Sequence, residues 1–81
     1  MPFTPMFMRY GQGWTLSLGK SEDGLTAALE FQGNQWTRPL DLDNVAETGD
    51  MLAHQARVTN PATVTKTLHD MVQQTREVLV S

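Results

Sequence analysis

The C-terminal stretch "TNPATVTKTLHDMVQQTREVLVS" constrains the fold more than any other part of this chain. Asn60 is placed to cap a helix, and Pro61 sits at its first position, where the missing N–H costs nothing. Val64, Leu68, Met71, Val72, Thr75 and Leu79 then recur at spacings of three and four, with Val78 beside the stripe. Lys66, Asp70, Gln73, Gln74 and Glu77 fall mainly on the other side. A helix of about six turns with one greasy side draws most of its stability from packing, so the rest of the chain must supply a surface for it.

The first forty residues supply that surface through a two-residue period. In "WTLSLG", Trp14, Leu16 and Leu18 share one face and Thr15 and Ser17 the other; in "LTAALEF", Leu25, Ala27, Leu29 and Phe31 alternate with Thr26, Ala28 and Glu30. The breaks are turn chemistry: "GQG" at 11–13, "KSEDG" at 20–24 and "QGN" at 32–34, with Gly33-Asn34 offering the positive φ of a tight hairpin. Residues 25–31 read as strand because glycines on both sides leave little length for a helix, although Leu25, Ala28 and Leu29 also fit helical spacing. "QWTRPL" is a fourth run that Pro39 confines to a sheet edge or ends there, and "MFMRY" is a candidate first strand.

From residue 41 the period lengthens. In "DLDNVAETGDMLAHQAR", Asp41 or Asp43 is placed to cap a helix whose stripe is Val45, Gly49, Leu52 and Ala56. The acids gather where the helix dipole favours them, and Arg57 stands at the far end. The stripe is poor in large residues, so this helix is expected to pack less deeply than the last one. The fold class expected is therefore α+β: an antiparallel meander of three to four strands over 1–40, then two helices over 41–81, the C-terminal one packed on the sheet.

With 81 residues the chain has room for one domain and only a thin core. It is 40% hydrophobic and 19% charged, a composition that folds rather than stays disordered. No cysteine is present, so disulfides and a thiolate zinc site are both excluded. The net charge of −3, with Arg9, Lys20, Arg38, Arg57, Lys66 and Arg76 scattered, argues against direct binding of nucleic acid or of an anionic membrane. The opening "MPFTPMFMRYGQGW" lacks the basic leader and apolar run of a signal peptide, and no segment reaches the length of a membrane span. A cytoplasmic location is the expectation.

The chemistry-bearing residues favour binding over catalysis. Asp41-x-Asp43 opens like a calcium loop, but Val45 stands at the fifth ligand position, Ala46 where glycine is needed and Leu52 where a bidentate glutamate belongs. His54 and His69 lie on different helices, outside any His-x-x-x-His spacing, so no metal or other cofactor is expected. Ser17, Ser21 and Ser81 sit in a strand, a turn and a terminus, and none occupies a nucleophile elbow. A chain this thin also has little room to enclose a cavity.

What remains is surface. Asp41, Asp43, Glu47 and Asp50, widened by Glu22 and Asp23, read first as capping and a solvated helix face, and beyond that as an acidic docking patch for a basic partner. Trp14 reads as core. Trp36 reads as core or helix contact, with an exposed Trp36–Arg38 anchor on the sheet edge as the functional alternative. Met6, Met8 and Tyr10 share a strand face opposite Phe3 and Phe7, so apolar groups point both ways and a second copy of the chain is the simplest cover for one side.

In format, as an acidic, cysteine-free single domain of strands then helices, the whole chain resembles the small phage-encoded inhibitors of bacterial CRISPR complexes. The resemblance implies binding to a Cas protein or guide-RNA complex in the bacterial host, and blocking its nucleic-acid or partner site without catalysis. "SED" and "DLDNVAETGD" would then occupy a surface meant for phosphate. The alternatives are a small dimeric nucleic-acid-binding regulator and a self-associating structural subunit.

Overall fold

The computed structural model of the protein describes residues 3–22 and 24–80. Four strands, β1 (Thr4–Tyr10), β2 (Trp14–Ser21), β3 (Gly24–Phe31) and β4 (Asn34–Pro39), are followed by two helices, α1 (Val45–Ala56) and α2 (Pro61–Val80). The strands pair in sequence order as one antiparallel meander, so β1 and β4 are its edges. Residues 25–31 are strand along their whole length.

The register sorts side chains into rows that cross the sheet. Phe7–Leu18–Ala27–Arg38 and Arg9–Leu16–Leu29–Trp36 lie on one face. That face meets the helices, and Leu16, Leu18, Ala27 and Leu29 are completely buried there. The alternation of the first half and the stripe of the last helix thus cover each other: Val64, Leu68, Met71, Val72, Thr75 and Leu79 are all buried. α2 packs along α1 and contacts the sheet at β2 and β1.

Several local expectations need correction. α1 is not the shallower helix: it lies on β3 and β4 and buries Val45, Thr48, Gly49, Leu52, Ala53 and Ala56, half of its twelve residues. The small residues that made its stripe look poor are what let it approach. A methyl group on Gly49 would stand 3.0 Å from the Thr65 Cα of α2, tighter than ordinary contact. Neither Asp41 nor Asp43 caps α1. Its N-cap is Asn44, whose amide donates to the Glu47 carboxylate. Asp41 instead accepts the Asp43 N–H on its carboxylate at 2.9 Å, folding a turn that lets Leu42 dip toward the core before the helix starts.

The β3–β4 hairpin turns on Gln32 and Gly33, with φ of 52° and 82°, rather than on Gly33-Asn34. Asn34 is already paired with Phe31. In β1 the register shifts between Pro5 and Phe7, so one extra residue is inserted opposite β2. That bulge separates Phe3 from Phe7: Phe7 packs against the core, whereas Phe3 joins Pro5 and Met8 on the opposite face.

Candidate functional site

The sheet face turned away from the helices is concave and uncovered. Two rows, Pro5–Gly19–Thr26–Pro39 and Met8–Ser17–Ala28–Thr37, form its floor and sides. Phe3, Pro5 and Met8 rise on the β1 side and Gln35, Thr37 and Pro39 on the β4 side, around an open trough of about 700 Å³. The trough is open to solvent rather than enclosed, which is how so thin a chain forms one. Its floor is made of small residues, and the hydroxyls of Ser21 and Thr26 bond each other at 2.9 Å within it. Gly19 is required there: a methyl group would overlap the Thr4 carbonyl oxygen where β1 crosses.

The acidic residues leave one end of this sheet, where the β2–β3 turn also lies. The Leu40 N–H donates to the Leu25 carbonyl at 2.9 Å and brings the start of α1 to that end. Asp41 and Glu47 line a shallow hollow of about 230 Å³ together with Arg38, Pro39 and Met51. The two surfaces proposed separately from the sequence, acidic patch and sheet edge, are thus continuous at Arg38.

The other acids are distributed around that hollow rather than within it. Asp43 opens on the far side of the helix start, in a cleft shared with His69, Gln73 and Arg76. The Thr65 hydroxyl of α2 donates to the Asp50 carboxylate at 2.5 Å, tying the two helices. Glu22 is exposed in the β2–β3 turn. Asp23 and Ser81 lie outside the described residues. Among the described residues, none of Asp41, Asp43, Glu47 and Asp50 makes an ion pair with a lysine or arginine.

Trp36 is half-buried against the core, so it supports β4 from the helix side and does not stand as an exposed anchor. Met51 was not singled out from the sequence as a surface group, yet it is among the exposed large hydrophobic residues. Its place one residue before the buried Leu52 was the available signal.

Of the five exposed large hydrophobic side chains among the described residues, Met6, Met8 and Tyr10 all lie on β1, at 40%, 43% and 77% exposure. Arg9, between them, turns to the helix side and donates to the Gln74 side-chain oxygen at 2.9 Å. The outer edge of β1 therefore presents methionine and tyrosine rather than charge.

The histidines are engaged locally. The His54 ring is 2.8 Å from the Asp50 carbonyl oxygen, and His69 Nδ1 is 3.9 Å from the Asp70 carboxylate. No group of three or more metal-binding side chains converges among the described residues. Among them also, no helix is long and apolar enough to cross a membrane. Comparison with protein-family models, curated proteins and solved structures gives no match, so the functional reading rests on geometry and chemistry.

Proposed function

We propose that the chain is a non-catalytic protein-binding module that docks through the β4 edge and the start of α1. The partner is a basic groove on a bacterial protein or ribonucleoprotein complex in the cytoplasm. The inhibitors that the chain resembles in format act in this way, blocking a nucleic-acid or partner site of a CRISPR complex. The observation that carries the reading is the surface around Met51. An exposed apolar side chain lies between Asp41, Glu47 and Arg38, beside an edge strand, and its acids have no basic partner within the described residues. Apolar centre, arginine and charged rim are the usual anatomy of a protein interface. Charge steers the approach of a basic partner and selects it.

The test is a tagged pull-down from bacterial lysate with the wild-type chain and an Asp41→Lys, Asp43→Lys, Glu47→Lys variant. Circular dichroism of both serves as the folding control, because reversing charge near a helix start costs about 0.3–1 kcal/mol by itself. The wild type is expected to retain a partner that the folded variant loses. Equal recovery by both would remove the acidic surface from the function. Retention on DNA that falls steeply with salt would point to the nucleic-acid regulator instead.

A second reading is favoured by β1. Met6, Met8 and Tyr10 on an unpaired edge suit self-association, in which β1 of one copy extends the sheet of another. Sedimentation of the wild type against a Met6→Lys, Met8→Lys variant tests it: a dimer that becomes a monomer supports it, and a wild-type monomer ends it.

A further inference from the structure

The β1–β2 hairpin decides which backbone groups of β1 face outward. The Gly11 N–H donates to the Trp14 carbonyl at 2.9 Å and so fixes the hydrogen-bonding phase of the pair. Opposed residues of an antiparallel pair alternate between exchanging both backbone bonds and exchanging none. Counting back from Gly11, Arg9 and Phe7 spend their backbone groups on Leu16 and Leu18, and Met8 and Tyr10 turn theirs away from β2. These outward groups are what a further strand would pair with.

One of them is already taken. Arg9 donates through Nη1 to the Met8 carbonyl oxygen at 3.0 Å and through Nη2 to the Gln74 side-chain oxygen at 2.9 Å. The guanidinium thus lies folded back between the strand edge and α2. It occupies an acceptor that a pairing strand needs, and the helix holds it there. Beside it lie Met6, Met8, Tyr10 and Val78, four of the five exposed large hydrophobic side chains among the described residues. Val78 stands one turn beyond Gln74 on the same flank of α2.

The bulge adds a second constraint. The register shift between Pro5 and Phe7 confines regular pairing on this edge to residues 7–10. A two-fold axis relating two copies joined there must pass close to Arg9. Each copy then brings its own guanidinium toward the axis, like charge against like.

We infer that Arg9 is the gate of the β1 edge: held by Gln74 over the Met8 carbonyl, it opposes pairing with a second copy of the chain, and strand pairing follows when it swings off that carbonyl. The gate rests on the second reading above, in which β1 joins two copies, and adds what limits that association. Opening it gives up two hydrogen bonds to a charged group, so the wild-type chain associates weakly despite its apolar edge. β4 lies at the opposite edge, so the docking surface around Arg38 is left uncovered in either state.

The experiment is sedimentation equilibrium of the full chain over a concentration series, wild type beside Arg9→Gln. Glutamine removes the charge and cannot span both acceptors, and it adds no apolar surface. Circular dichroism checks that each chain is folded. Arg9→Gln should dimerise about tenfold or more tightly than the wild type. The Met8 and Tyr10 amide hydrogens should exchange more slowly as its concentration rises. Adding Met8→Lys to Arg9→Gln should abolish the gain. A wild-type dimer that Met6→Lys, Met8→Lys dissolves but that Arg9→Gln does not tighten would overturn the gate and leave the β1 reading standing. A gain that Met8→Lys does not remove, or monomers for both wild type and Arg9→Gln at every concentration, would overturn both.

Discussion

On the helix side of the β2–β3 hairpin stand Leu16, Leu18 and Leu29, all completely out of water. On the other side stand Ser17, Thr26 and Ala28, nearly as buried, with no layer above them. The first group is covered by helices, and its burial is apolar surface removed from water. The second group is hidden because it is short and the walls are long: Phe3, Pro5 and Met8 on one flank, Gln35, Thr37 and Pro39 on the other. Low accessibility therefore means different things on the two faces. On one it reports a filled core, and on the other the floor of an open trough.

The largest expected effect breaks the filled face. Leu29→Ala should cost about 2–5 kcal/mol in urea unfolding, the range for a large core side chain truncated between packed layers. A loss below about 1 kcal/mol would mean that the helices do not clamp this face.

Next comes Gly19→Ala on the open face. The methyl group meets the Thr4 backbone, so β1 must move, at a cost of about 1–3 kcal/mol. Amide hydrogen exchange should then accelerate in β1 and leave β3 unchanged. Uniform acceleration would show that β1 is not a separable strap.

Thr26→Val removes one partner of the Ser21–Thr26 hydroxyl pair and should cost about 1 kcal/mol. The smallest effect expected is that of Ala28→Val, which adds bulk toward the trough and should cost less than about 1 kcal/mol by thermal melting. If Ala28→Val proved as damaging as Leu29→Ala, the two faces would be equally packed and the distinction drawn between them would fail.

The helix-covered face was legible because periodicity reports it directly. Alternation in β2 and β3, and the three-and-four spacing from Val64 to Leu79, each state which side of an element is apolar. The bulge at Pro5–Phe7 was not legible, because one inserted residue leaves composition and spacing intact while moving Phe3 to the other face. The depth of α1 was misjudged for a related reason. Gly49, Ala53 and Ala56 carry little hydrophobic signal, but small residues set how closely two helices approach.

The candidate sites divide in the same way. Asp41, Glu47 and Arg38 were each visible as charged residues near a strand end and a helix start. That they share one surface with Met51, while Asp50 is drawn to Thr65 and Asp43 opens toward Arg76, depends on how α1 is rotated over β4.

By itself the sequence determined which residues form strands and helices and which side of each avoids water, because both follow from local period and turn chemistry. Only the tertiary structure decided which distant residues meet: the trough walls and the acid-and-arginine edge. Those contacts depend on register, on a bulge and on helix rotation. These quantities are set by packing across the whole molecule and leave no repeat along the chain.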